Sequence, residues 1–229
     1  MPHVEEHLKS SDFITDVVIG MSDGLTVPFA LAAGMSSAIA DTGIITTAGI
    51  AEIIAGSIAM GLGGFLAGKT EQEHYASELK REYREVEEVP EKEKEEIKEI
   101  FAAYGLSASS QTLIVEELSK DKDKWVEFMM RYELGLEEPH ANRATRSALT
   151  IGLSYVVGGI IPLLPYFFTH SAANGLKVSA SVTILCLFVF GFFKAKVTGQ
   201  PLLSGALKVT ITGALAAGAA YLVAHWISG

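Results

Sequence analysis

Residues 44–67 read IITTAGIAEIIAGSIAMGLGGFLA, and residues 69–88 read KTEQEHYASELKREYREVEE. The first stretch holds one charged residue, Glu52, and the second holds eleven. A helix of that apolar length rises about 36 Å, enough to cross a hydrocarbon core of about 30 Å. The second stretch is rich in Glu, Lys, Arg and Ala, which are good helix formers, so the same helix is expected to continue into water. The junction near residue 68 decides the fold class: an apolar helix becomes, with no breaker between, a charged one.

Four further stretches have the composition of a span. They run from about residue 17 to 38, 148 to 168, 178 to 193 and 202 to 226. Pro28, Pro162, Pro165 and many glycines fall inside them. A bilayer tolerates these where neighbouring helices satisfy the freed backbone groups. The pairs Gly20/Gly24 and Gly64/Gly68 have the small-xxx-small spacing that lets membrane helices approach closely.

The charge map agrees with this division. The chain has 229 residues, 49% of them hydrophobic, a mean hydropathy of +0.31 and a net charge of −9. Between Lys69 and Arg146 lie 20 of its acids and 13 of its bases. A single water-soluble domain spreads its charge along the sequence, so that class is excluded. The acidic excess of the charged part excludes a nucleic-acid binder, because it repels phosphates. One cysteine, Cys186, excludes a disulfide framework or a Cys-rich zinc site. No dinucleotide fingerprint is present. The N-terminal MPHVEEHLKSSDFITD is polar and acidic, unlike a cleavable signal or a transit peptide, so the first span is expected to be retained.

The expected fold is therefore all-α and polytopic. Residues 1–68 hold an N-terminal segment and spans 1 and 2, residues 69–146 form a charged helical domain, and residues 147–229 hold spans 3 to 5. Threading five spans alternately puts Lys9, Lys69, Arg143, Arg146, Lys194, Lys196 and Lys208 on one side and Lys177 on the other. Basic residues favour the cytosol, so the N-terminus and the charged domain are expected to be cytosolic and the C-terminus to face the opposite compartment. Within the insert, Pro90 is expected to end the first helix and open a second to Tyr104. A third helix is expected from Ser109 to Ser119 with Ser110 as a cap, and a fourth from Asp121 to Leu134 ending at Gly135.

Two groups of residues carry chemistry. The first lies in spans 1 and 2. Asp23 follows Asp16 by seven residues, and Met60 follows Glu52 by eight, so each pair shares a helix face. An ionisable group inside a bilayer is costly, and such groups mark ion or proton paths. Carboxylates joined by a thioether suit a divalent transition metal better than Mg²⁺ or Ca²⁺. The bland alternative is a cap or structural hydrogen bond near the interface.

The second group lies in the insert. Glu82/Glu85 and Glu93/Glu96 are i,i+3 pairs, and Met129 and Met130 precede Glu133 by four and three residues. Packed together, these acids repel unless a cation sits among them. Spread on a solvated face, they need none. Glu71 and His74 have the Glu-x-x-His spacing of a di-iron ligand pair, present here once. They support a rival reading, a membrane-anchored di-iron oxidase or iron buffer; a passive divalent channel is another.

Together these residues resemble the vacuolar iron transporter family in its plant form. The most specific stretches are DVVIGMSDGLTVPFALAAG at 16–34 and AEIIAGSIAMGLGGFLAGKTEQEHY at 51–75, and the resemblance covers nearly the whole chain. It implies a homodimer with five membrane helices per subunit and a cytosolic metal-binding domain between helices 2 and 3. It implies a secondary transporter, not an enzyme, in the vacuolar membrane. Such a carrier moves Fe²⁺, and often Mn²⁺, from cytosol to vacuole against protons, with Fe²⁺ as substrate and no prosthetic group. Asp23 and Met60 match the family's ligands in the path, with Asp16 and Glu52 as accessory acids. Glu82, Glu85, Glu93, Glu96, Met129, Met130 and Glu133 match its cytosolic metal-binding domain, where Mn²⁺, Co²⁺, Ni²⁺ or Zn²⁺ are also expected to bind.

Overall fold

The structure, a computed structural model, describes residues 12–228. Residues 1–11 of the polar N-terminal segment, Lys9 among them, used above for retention and orientation, lie outside the described residues. Among those described, the chain forms eight α-helices and no strand. In order they are α1 (Asp12–Ala38), α2 (Thr42–Glu88), α3 (Pro90–Ala103), α4 (Ala108–Leu118), α5 (Lys122–Tyr132), α6 (Arg143–Phe167), α7 (Ala172–Val197) and α8 (Leu202–Ser228). Helices α1, α2, α6, α7 and α8 are long and apolar enough to cross a membrane. The chain divides into two compact units, one made of the chain up to Leu66 with the stretch from Ala144 on, the other of Ala67–Arg143.

In the first unit, glycine sets how closely helices approach. A Cβ on Gly20 would run into the carbonyl of Ile151, and one on Gly24 into the backbone of Tyr155. The Gly20/Gly24 stripe of α1 thus lies directly on the α6 backbone, the close approach its spacing allows. Helix α8 packs along α1 and α7. Small clusters of side chains fill the remaining space: Ala32, Ile45, Ile53, Leu163, Tyr166 and Ala172 in one, and Phe29, Ala33 and Ala217 in another. Polar groups inside the bundle find partners across helices. Ser179 on α7 donates to the Pro162 carbonyl on α6 at 2.7 Å, and the Ser36 and Tyr166 hydroxyls lie 2.8 Å apart. Large apolar side chains such as Leu149, Leu153, Leu185, Leu215 and Leu222 point outward and are exposed. In water such a surface is an aggregation liability; against lipid it is the expected solvent-facing side.

The second unit has a water-soluble pattern. Val86, Ile97, Val115, Trp125, Val126, Met129 and Met130 form its buried core, with Tyr75, Leu79 and Phe101 packed on it. Phe101 stacks on Phe128 with ring centroids 5.4 Å apart. Pro90 opens α3, as its missing N–H and fixed φ dictate. Asp121 caps α5 by accepting from the backbone N–H groups of Asp123 and Lys124. The cap of α4 is Ser107, which accepts from the Ser110 N–H at 3.3 Å, and not Ser110 itself. Gly135 follows α5 with φ of 65°, the left-handed conformation that closes a helix cheaply only with glycine.

Candidate functional site

Within the bundle, α1, α2 and α6 meet around Tyr155. Gly24 abuts its backbone, and a Cβ on Gly56 of α2 would enter its ring at 2.5 Å from the hydroxyl oxygen. Tyr155 is only 2% exposed. Its hydroxyl donates to Oε1 of Glu52, one turn before Gly56. The other Glu52 oxygen, Oε2, is buried and has no hydrogen-bond partner among the described residues. Asp23 precedes Gly24 on α1 and is close enough to act electrostatically on the Tyr155 hydroxyl. Asp16, two turns earlier, is 4% exposed. Met60 lies one turn beyond Gly56 and is half-buried. The fold thus sets Asp23 and Glu52 on two helices that both pack against Tyr155. The sequence reading missed Tyr155. Its signal was a tyrosine in the middle of an apolar span, whose hydroxyl needs a partner.

A second group of ligand atoms lies inside the Ala67–Arg143 unit. One carboxylate oxygen from each of Glu82 on α2, Glu93 on α3 and Glu133 after α5 lies within 4.8 Å of the others. Glu82 and Glu93 are each 1% exposed, and Oε2 of Glu82 and both oxygens of Glu93 have no hydrogen-bond partner among the described residues. Burial of unpartnered carboxylates is unfavourable, and the groups answer by holding protons. Burial, then Glu133 and Glu85, push Glu82 up to about 7. Burial, then Glu96 and Glu82, push Glu93 to about 7. Glu133, more exposed as a residue, is raised too, by burial of its carboxyl end and by Glu96. A proton or a cation relieves such a cluster, and three convergent oxygens fit a divalent ion by charge and count.

The other expected insert residues fall around this trio. Glu85 is drawn to Arg81, whose Nε lies 3.5 Å from its Oε2. Glu96 takes Lys92 at 2.7 Å. Met129 and Met130 are 0% and 2% exposed within the apolar core, one turn before Glu133. Arg81 was not singled out from the sequence, although its position between Glu78, Glu82 and Glu85 marks it. Its Nη2 lies 2.7 Å from Glu78 Oε2 and 3.7 Å from Glu82 Oε1. Glu71 and His74 are not brought together with a further ligand. Glu71 faces Arg143 at 3.6 Å and His74 faces Glu78 at 3.9 Å.

Comparison with known proteins bears on both groups. The profile of the VIT family matches residues 14–225. The chain is 51% identical to vacuolar iron transporter 1 of Tulipa gesneriana, over 97% of this chain and 90% of the relative. It is 48% identical to vacuolar iron transporter 1 of Arabidopsis thaliana, over 97% and 89%. It is 41% identical to Protein CCC1 of Saccharomyces cerevisiae, over 91% and 67%. Both acidic groups lie inside the matched region, and with a match of this length and identity the chain belongs to the VIT family.

Proposed function

We propose that this protein is a proton-coupled transporter that moves Fe²⁺, and with it Mn²⁺, from the cytosol into the vacuole. The observation that carries the reading is the placement of Asp23 and Glu52 within apolar spans, with one Glu52 oxygen buried and unpartnered. A membrane helix retains such groups where a cation or proton uses them. Membership of the family and the names of the relatives support iron as the cargo.

The insert, which begins within α2 and ends at the start of α6, collects the ion on the cytosolic side. Glu82, Glu93 and Glu133 supply the convergent oxygens, Glu85 and Glu96 add negative charge, and Met129 and Met130 offer softer sulfur. Concentrating M²⁺ there raises its supply to the path. In the path, Asp23 and Met60 take the ion, with Asp16 and Glu52 as accessory acids. Two copies of the chain provide two Asp23 and two Met60, a four-ligand set from two residue types. Protons and metal compete for the same carboxylate oxygens. An acidic lumen displaces the metal there, and the carboxylates return protonated.

The test is Fe²⁺ uptake by the full chain in proteoliposomes with an acidic interior. Uptake is expected to dissipate the pH gradient and to be abolished by Asp23→Ala and by Met60→Ala. Normal pH-driven uptake by Asp23→Ala overturns the path assignment. Metal flux that leaves the proton gradient untouched assigns a passive channel instead.

A further inference from the structure

Helices α7 and α8 meet at a crevice that none of the residues assigned to the metal path lines. It has a volume of about 150 Å³ and is lined by Lys194, Thr198, Gln200, Ser204 and Lys208 over a floor that includes Gly191 and Gly205. The two helices lie close together here, since a Cβ on Gly205 would meet the Ala195 methyl and one on Gly191 the Ala206 backbone. We propose that this crevice binds the phosphate headgroup of an anionic phospholipid.

Charge is the first argument. Lys194 and Thr198 are four residues apart on α7 and its C-cap, and Ser204 and Lys208 are four apart on α8, so each helix presents one ammonium and one hydroxyl to the same crevice. No acid occurs between residues 144 and 228, and among the described residues neither lysine takes part in an ion pair. Two lysines that line one crevice without a carboxylate repel each other, and an anion between them reverses the sign of that interaction. The Thr198 hydroxyl donates to the Lys194 carbonyl at 2.9 Å, which leaves its oxygen free to accept and ties the C-terminal turn of α7 in place.

The surroundings are the second argument. Phe193, Val197, Leu203 and Leu207, from the same turns, are large, apolar and exposed. A free phosphate makes no use of such a rim, whereas the glycerol backbone and first acyl carbons of a phospholipid cover it. The crevice lies at the ends of helices of 26 and 27 residues, the depth at which headgroups sit. Basic pockets between membrane helices recognise anionic headgroups in this way. Two ammonium groups match a phosphomonoester, which carries a charge of about −1.5 to −2 near neutral pH.

The experiment is titration of the purified full chain in a neutral detergent with short-chain phosphatidic acid, short-chain phosphatidylcholine and inorganic phosphate, read by native mass spectrometry and thermal shift. Phosphatidic acid is expected to bind and to raise the melting temperature, and phosphatidylcholine is not. Lys194→Gln with Lys208→Gln should weaken phosphatidic acid binding roughly thirtyfold, from the contribution of two lysines at a lipid surface. Lys194→Arg with Lys208→Arg should retain binding, and Lys196→Gln, beside the crevice but outside it, should retain it too. Equal binding by wild type and the double Gln variant overturns the site, as does an equal loss in Lys196→Gln. Inorganic phosphate that binds as tightly and is lost in the same variant overturns the lipid assignment in favour of a free anion. A change of oligomeric state in the double Gln variant, with no lipid bound to the wild type, makes this face a contact between copies and also overturns it.

Discussion

The Tyr155 hydroxyl of α6 donates a hydrogen bond to the Glu52 carboxylate of α2, and it does so from a ring that Gly56 leaves just enough room to accommodate, while Gly24 leaves room for the Tyr155 backbone. Tyr155 thereby packs against both helices that carry Asp23, Glu52 and Met60, with its backbone against α1 and its phenol against α2. It holds one oxygen of Glu52 and leaves the second unpartnered among the described residues.

Under the proposed function, Tyr155 is a positioning residue for Glu52. Tyr155→Phe keeps the ring and its packing but removes the donor. Hydrogen bonds to charged groups contribute about 1.5–3 kcal/mol, so metal uptake in proteoliposomes should fall by about tenfold or more while the melting temperature of the apo protein changes little. Uptake at the wild-type rate would reduce the contact to packing.

Gly24 tests the helix approach. Its substitution by Ala places a Cβ against the Tyr155 backbone, which has no flexible end to move aside. Overpacking of this kind costs about 1–3 kcal/mol, and Gly24→Leu should cost more and abolish folded protein in size-exclusion profiles. Gly63→Ala, where nothing lies within 4 Å, should be neutral.

The pH dependence of the insert has a definite sign. Glu82 and Glu93 lie near 7 in the folded protein against 4.5 for an ordinary glutamate, so the metal-free folded state binds more protons between these values. Its stability should be fully present below about pH 4.5 and fall as pH rises towards and through 7. Thermal melting of the apo protein should show the insert less stable at pH 8 than at pH 5, with Glu82→Gln flattening the difference. Metal binding runs the other way, because the ion must displace those protons; its apparent affinity should rise with pH across the same window.

Under the proposed function, Arg81 is a competitor of the ion for these carboxylates. Its guanidinium reaches Glu78, Glu82 and Glu85 and lowers the local negative charge. Arg81→Gln should tighten metal binding by the full chain several-fold, measured with a competing chelator, and slow the release of bound metal.

Met129 and Met130 sit in the apolar core beside Glu133, which gives packing and ligation opposite signatures. Replacing both by Leu conserves volume and should cost less than about 1.5 kcal/mol in stability. The same change removes sulfur, so the preference for Fe²⁺ over Mg²⁺ should drop. Met130→Ala, by contrast, opens a cavity and should destabilise the insert by about 2–5 kcal/mol.

Much of the fold was legible because the strongest terms are local or one-dimensional. An apolar run such as 44–67 has one way to satisfy its backbone in lipid, and Pro90 and Gly135 end helices wherever they stand. The boundaries were less legible. Helix α7 begins at Ala172, six residues before the apolar stretch at 178, because backbone hydrogen bonding continues through Lys177 into water. The α4 cap is Ser107 because the extended residue three positions before the Ser110 N–H is the one that can accept from it.

Composition and order alone determined five apolar helices, a charged helical insert between the second and third, and the short set of acids set inside apolar spans. These follow from solvation, which each segment meets on its own. Which acids converge was decided only by tertiary packing. Glu82, Glu93 and Glu133 are brought within 4.8 Å by three different segments, while Glu85 and Glu96 turn to Arg81 and Lys92. Tyr155 meets Glu52 across 103 positions because glycines let α1 and α2 lie on α6. Helical periodicity places a side chain on a face, but a distance between side chains of different helices depends on how their backbones pack, and that is a property of the whole bundle.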